Sequence, residues 1–296
     1  MRSVWHRERV TLRLGRRDFP AGEFAVMAIV NRTPDSFYDG GATFELNAAF
    51  DAVARAVAEG ADLVDVGGVR AGMGPPVDPG EELRRVLPLV QGVRERYPEL
   101  VISVDTWRAA VAREAVAAGA DLINDTWAGA DPELVQVAAE TGAGIVCSHT
   151  GGLPPRIDPH RARFDDVVDH VVATVTQAAA RAVQAGVRPD GVLVDPTHDF
   201  GKNTRHSLEL TRRLDEVVAT GWPVLVALSR KDFVGETLDL PPDQRLEGTL
   251  AATAISAWHG GRVFRTHDVR ATRRVLDMVA SIQGTRPPSV ARRGLV

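Results

Sequence analysis

Phe24-Ala25-Val26-Met27-Ala28-Ile29-Val30 runs without a polar side chain straight into Asn31. A short apolar run of this kind, bounded by Gly22 and Pro34, reads as a strand covered on both faces, as in parallel sheets. The unit recurs downstream, each time with an abrupt polar residue: DLVDV carrying Asp65, LVISV before Asp105, DLI before Asn124 and GIVCS before His149. GVLV before Asp195, PVLVAL before Ser229 and RVF before Arg265 complete the series. Between the runs lie Ala-rich segments, such as residues 47–60, 81–97 and 165–186, whose apolar positions fall mostly at helical spacing. Gly60, Gly119, Gly142, Gly186, Gly221 and Gly260 stand where a helix needs a left-handed end before the next strand.

Eight strand–helix units with no second block predict an α/β chain forming a single closed (β/α)8 TIM barrel. The rival, an open doubly wound sheet, usually carries G-x-G-x-x-G after its first strand, and that turn does not occur here. The expected organisation is an N-terminal extension over residues 1–23, the barrel over 24–284 and a tail over 285–296. Within the extension, residues 7–22 alternate in VTLRL and are expected to form a hairpin closing the barrel floor. The Pro- and Arg-containing tail is expected to be loosely ordered.

The chain has 296 residues, 44% hydrophobic and 25% charged, with a net charge of −4, the ordinary balance of a globular protein. Slight acidity argues against a general nucleic-acid binder. The absence of an 18-residue apolar run argues against a membrane span, and the charged N-terminus does not read as a secretory signal. The one cysteine, Cys147, lies in an apolar run and reads as a small core residue. A cytoplasmic location is expected.

The barrel turns scattered polar residues into one location. Asn31, Asp65, Asp105, Asn124, Asp195, Lys231, Arg265 and His267 fall at the C-terminal ends of different strands, which converge on one face in this architecture. Arg265 and His267 are two apart, so on a strand they point the same way, and together they make an anion clamp. The competing reading of that pair is a surface arginine beside a core histidine. For Asp105, followed by Thr106 and Trp107, the competing reading is a helix N-cap. His149, His198 and His206 lack metal-ligand spacing and read as structural.

The stretch Asn31-Arg32-Thr33-Pro34-Asp35-Ser36-Phe37-Tyr38-Asp39-Gly40-Gly41 resembles the N-x-T-P-D-S-F-x-D-G-G loop of dihydropteroate synthases. Asp65-Val66-Gly67-Gly68, Asp105-Thr106, Asn124-Asp125, Asp195-Pro196, Phe200-Gly201-Lys202, Ser229-Arg230-Lys231 and Arg265-x-His267 follow in that family's order. The divergent second-copy branch, regarded as lacking synthase activity, looks closest. The resemblance implies a Mg²⁺-assisted joining of 6-hydroxymethyl-7,8-dihydropterin pyrophosphate to p-aminobenzoate, usually by a homodimer. It assigns Asn124, Asp195 and Lys231 to the pterin, and Arg265 and His267 to pyrophosphate. It also makes Asp105, Lys231 and Arg265 the catalytic set and Asn31 the Mg²⁺ ligand. A carboxylate at Asp195 suits the paired N–H donors of a pterin edge, and an amide at Asn124 suits a mixed edge.

The chain departs from the family pattern on the acceptor side. Where typical synthases read D-I-G-G-E-S-T-R-P-G, this sequence has Val69, Arg70, Ala71 and Gly72 after the glycines, so the Thr-Arg pair is lost. Asp232 replaces the serine that donates to the benzoate carboxylate. Like charges about 4 Å apart repel by roughly 1 kcal/mol in water and about 4 at a protein-like dielectric. Thr197 and Asp199 replace two glycines of the sixth-strand motif, which is expected to narrow the pterin floor. The expectation is a homologue that keeps a pterin site and is weak or inactive as a synthase. The alternatives are a fully active synthase and, last, a pterin-dependent methyltransferase barrel.

Overall fold

The computed structural model describes residues 11–34, 41–157 and 163–293. A hairpin of β1 (Leu12–Leu14) and β2 (Arg17–Phe19) precedes the barrel strands. These are β3 (Ala25–Asn31), β4 (Leu63–Gly67), β5 (Val101–Asp105), β6 (Leu122–Asp125), β7 (Gly144–Ser148), β8 (Val192–Asp195), β9 (Leu225–Val226) and β10 (Val263–Thr266). The helices are α1 (Leu46–Ala58), α2 (Pro79–Arg96), α3 (Ala109–Ala117), α4 (Leu134–Thr141) and α5 (Val167–Gln184). They continue with α6 (Thr204–Arg212), α7 (Leu214–Val218), α8 (Asp232–Leu238), α9 (Leu246–Trp258) and α10 (Val269–Ile282). The six glycines expected at helix ends all have positive φ, from 74° at Gly142 to 118° at Gly119.

All barrel pairings are parallel, in the order β8-β7-β6-β5-β4-β3-β10-β9. The remaining seam is closed by a Val194–Val224 bridge and by the Val194 N–H donating to the Pro223 carbonyl at 3.0 Å. The sequence expectation of an eight-stranded barrel with helices outside therefore holds.

Side-chain alternation divides the interior in two. Val64, Val66, Ile102, Val104, Ile123 and Val194 face outward into the layer between strands and helices. Their neighbours Leu63, Val101, Leu122, Val146, Leu193 and Val263 face inward, where Leu12, Leu14 and Phe19 of the hairpin plug the floor. Leu12 and Leu14 are fully buried, each contributing about 1.5–3 kcal/mol by area removed from water. The expected hairpin is thus present, although residues 7–10 of its predicted span lie outside the described residues. Two aspartates tie strand starts together: Asp62 accepts from Val26 N and Asp121 from Ile102 N, each at 2.9 Å, with Arg17 on Asp62 and Arg94 on Asp121. With the floor filled by apolar side chains, the same inward register delivers polar residues to the upper layers.

Candidate ligand site at the barrel mouth

Two positions above Leu63 on the inward face of β4 stands Asp65, wholly excluded from solvent. Its Oδ1 accepts from Ser103 Oγ at 2.5 Å; its Oδ2 accepts from Asn124 Nδ2 at 3.1 Å and Arg265 Nε at 2.6 Å. Asp65 thus joins β4, β5, β6 and β10. Sequence reasoning placed it at a strand end but gave it no ligand role. The available signal was its inward register directly opposite Ser103.

One layer higher, Asp105 accepts from Arg265 Nη2 at 2.9 Å and from Thr126 Oγ1 at 2.8 Å. The helix-cap alternative does not apply: the N-cap of α3 is Arg108, and Ala109 N donates to Asp131 Oδ2 at 2.8 Å. Burial, helped by the nearby Asp65 and opposed by Arg265, pushes the Asp105 carboxyl up to about 7. Burial acts to lower the Arg265 guanidinium, but Asp65 and Asp105 outweigh it and the net shift is upward. The guanidinium that sequence reading assigned to an anion clamp is therefore held here between two carboxylates.

Asp195 at the top of β8 is 4% exposed, and its Oδ1 accepts from Thr197 N at 2.7 Å. Burial raises its carboxyl, with Lys231 opposing most strongly, followed by the Thr197 N–H, Lys202 and Arg265. Lys231 Nζ donates to the His198 carbonyl at 2.6 Å and lies 4.8 Å from the Phe200 ring centre. Burial lowers its ammonium, and Asp199 and Asp195 counter that shift. Lys202, in the same loop, donates to the carbonyls of His149, Thr197 and Phe200 at 2.9–3.0 Å, so its ammonium rivets the loop.

Thr197 and Asp199 keep glycine-like backbone, with φ of 54° and 69°. A β-branched residue in that region costs on the order of 1–3 kcal/mol. Thr197 Oγ1 offsets part of this by accepting from His149 N at 3.2 Å and donating to the Asp195 carbonyl at 2.9 Å. Asp199 receives Ser207 Oγ at 2.8 Å and Phe233 N at 3.1 Å, tying this loop to α8. The backbone path required by the glycine motif is kept while side chains are added to it.

His267 lies just past the end of β10, not on the strand as expected. Its Nδ1 pairs with Ser229 Oγ at 3.1 Å, joining the segments that follow the last two barrel strands. Asn31 lies across from Asp105 over Gly67. A Cβ built at Gly67 would lie 3.2 Å from Asn31 Oδ1 and 4.0 Å from Asp105 Oδ2. A side chain there would press on the Asn31 oxygen, and both oxygens are the hard donors a divalent cation prefers. Among the described residues no group of three or more His, Cys, Asp or Glu side chains could hold a metal by itself. A cation at Asn31 would have to share its shell with ligand oxygens and water.

The acceptor side is built differently. Asp232 opens α8, is 81% exposed and accepts from Arg245 Nη1 at 2.9 Å. Arg230 grips Asp268 with Nε and Nη2 at 2.8 and 2.9 Å and so serves the scaffold. Across the mouth, Arg156 from the loop after β7 donates to the carbonyls of Gly72 and Pro75, both at 3.0 Å, strapping down the loop after β4. Asp35 to Gly40 of the first-strand motif lie outside the described residues. His149 behaves as a structural residue: it is buried, its Nε2 pairs with His170 Nδ1 at 2.7 Å, and burial pushes it down to about 2. Burial likewise pushes the Cys147 thiol up to about 12, leaving it inert as a nucleophile.

An eight-stranded barrel with an Asp–Asn–Asp–Lys–Arg–His constellation at its mouth has the architecture of a pterin-binding enzyme, and residues 27–267 match the family described as "Pterin binding enzyme". The chain is 62% identical to the inactive dihydropteroate synthase 2 of Mycobacterium leprae, over 94% of this chain and 97% of that one. It is 39% identical to the dihydropteroate synthase of Escherichia coli, over 83% of this chain and 87% of that one. Its fold superposes on a Yersinia pestis dihydropteroate synthase solved with a sulfonamide drug complex, with TM-score 0.88 and 34% identity, covering 93% of this chain and 100% of that one. Mycobacterium tuberculosis Rv1207 gives TM-score 0.71 at 51% identity, covering 92% of this chain and 98% of that one. The chain belongs to the dihydropteroate synthase family of pterin-binding barrels. No helix among the described residues is long and apolar enough to cross a membrane.

Proposed function

We propose that this protein is a dihydropteroate synthase homologue that binds a pterin pyrophosphate but condenses it with p-aminobenzoate poorly or not at all. The observation that carries the reading is an asymmetry. The pterin side is a cross-linked set in which Asp65 organises Asn124 and Arg265. On the acceptor side, the family's carboxylate-binding serine is replaced by Asp232, already paired with Arg245. The name carried by the M. leprae relative points the same way.

In this reading Asp195 and Asn124 receive and orient the pterin edge, and Lys231 faces its carbonyl. The Asp105 carboxylate would stabilise positive charge developing on the ring. Arg265 and His267 hold the pyrophosphate, the phosphate oxygens competing with Asp65 and Asp105 for the guanidinium fork. Asn31 would hold Mg²⁺, which when bound neutralises charge on departing pyrophosphate. In a competent synthase the arylamine nitrogen displaces pyrophosphate from the pterin methylene. Here an ionised Asp232 can donate no hydrogen bond to the acceptor's carboxylate.

The reading includes a cytoplasmic homodimer. Ile255 and Trp258 of α9 and Met278 and Ile282 of α10 are 48–61% exposed, and these two helices pack together. Such adjoining apolar side chains favour burial against a second copy.

The test is a side-by-side assay with an active synthase, using Mg²⁺, pterin pyrophosphate and p-aminobenzoate, together with calorimetric titration of the pterin. Binding without turnover is expected; turnover at ordinary enzyme rates would overturn the loss of function, and absence of binding would overturn the pterin reading.

A further inference from the structure

We infer that Asp65 is the positioning residue of the pterin floor: it locks the Asn124 amide so that its carbonyl oxygen faces the mouth, and thereby selects ligands that present an N–H edge. The inference rests on the pterin-binding reading above and goes further by assigning the source of its donor–acceptor selectivity.

A carboxylate held against a guanidinium accepts hydrogen bonds and donates none. Asp65 receives Arg265 Nε at 2.6 Å and Ser103 Oγ at 2.5 Å, so toward its neighbours it is an acceptor. An amide meeting that acceptor can bond only through its NH2 group. Asn124 Nδ2 is accordingly the atom found 3.1 Å from Asp65 Oδ2. The amide is planar, so its Oδ1 is turned away from Asp65, and it takes no hydrogen bond from any described residue. An asparagine without this partner could present either end to a ligand. With Asp65 in place the end turned away from it is the carbonyl oxygen, an acceptor, while one Nδ2 hydrogen stays with Asp65 and the second can still donate.

Asp195 stands as a second acceptor on the same mouth, with one oxygen already engaged by Thr197 N. Two fixed acceptors suit an aminopyrimidinone edge, rich in N–H donors, and leave the carbonyls of a dioxo ring facing oxygen. Asp65 itself has no solvent exposure and cannot touch a ligand, so it acts through Asn124 and Arg265.

The experiment has two readouts. In the wild-type protein, the Asn124 side-chain amide protons, followed by NMR, should exchange with solvent far more slowly than those of exposed asparagines. Exchange at the exposed rate would overturn the locked amide, and this measurement needs no variant. Calorimetry then compares 6-hydroxymethylpterin with the corresponding lumazine, in which a carbonyl replaces the exocyclic amine. Wild type should favour the pterin by about tenfold or more, the scale of one mismatched buried polar contact. In Asp65→Asn the amide is free to flip, and that preference should shrink several-fold. A variant that stays folded, binds more weakly and keeps the full preference would reduce Asp65 to a scaffold residue and overturn the proposal. Wild type binding neither compound would instead overturn the pterin reading, while the amide-exchange measurement would still decide the orientation.

Discussion

Arg245 Nη1 meets Asp232 Oδ1 at 2.9 Å, although the aspartate side chain is 81% exposed. Asp232 is the exposed half of this pair; Arg245, 11% exposed, also donates to the carbonyls of Leu240 and Arg230 at 3.0 Å. Arg245 therefore keeps partners without Asp232, and the pair contributes about 1 kcal/mol. Asp232→Ser should therefore unfold within about 1 kcal/mol of wild type in urea while removing the charge that opposes a benzoate carboxylate. Combined with Ala71→Thr and Gly72→Arg, it should restore measurable condensation. A folded triple variant that still shows no turnover would place the lesion elsewhere in the mouth.

Arg265 sits between Asp65 and Asp105, and its removal leaves two carboxylates facing each other in a buried layer. Breaking a buried pair by deleting one partner costs about 3–5 kcal/mol. Arg265→Ala should lose stability on that scale in a denaturant titration, and calorimetry should show pyrophosphate binding abolished. An Arg265→Ala protein as stable as wild type would show that this cation does not hold the interior layer together.

Asp105 supplies a pH dependence with a definite sign. Its folded carboxyl lies at about 7, above the ordinary value of 3.8, so over that interval the folded chain holds a proton the unfolded chain has released. The associated stability is fully present below the unfolded value and is lost as pH rises toward about 7, by at most about 1.4 kcal/mol per pH unit. The stability of wild type minus that of Asp105→Asn should decline from pH 5 to pH 7 and level off above. A difference that grows with pH would contradict the raised carboxyl.

Arg156 spans the mouth through two carbonyl contacts at Gly72 and Pro75. Arg156→Ala should leave the melting temperature nearly unchanged, because these contacts are exposed, and should speed hydrogen exchange at residues 69–76 several-fold. Unchanged exchange in that loop would show that other contacts hold it.

Much of the mouth is legible in the sequence, because strand periodicity is local. Once Leu63 is inward, Asp65 is inward; the same holds for Val101, Ser103 and Asp105, and for Val263 and Arg265. The motif at 195–202 likewise signalled a special backbone, and positive φ at Thr197 and Asp199 shows it survives the loss of glycine. Less legible was the partner of each charge. Arg265 read as an anion clamp and is found between carboxylates, while Asp232 read as an unrelieved repulsion and is found paired with Arg245. Asp65 was visible as a strand-end residue, but its role as the shared acceptor for Ser103, Asn124 and Arg265 was not.

By itself the chain's order of residues determined the barrel, the floor hairpin and which side chains look inward, since apolar alternation and helix-ending glycines act over a few positions. Only the closed tertiary structure decided who bonds to whom. Hydrogen bonds and ion pairs depend on ångström distances between strands far apart in sequence, and ring closure sets those distances where no local pattern can.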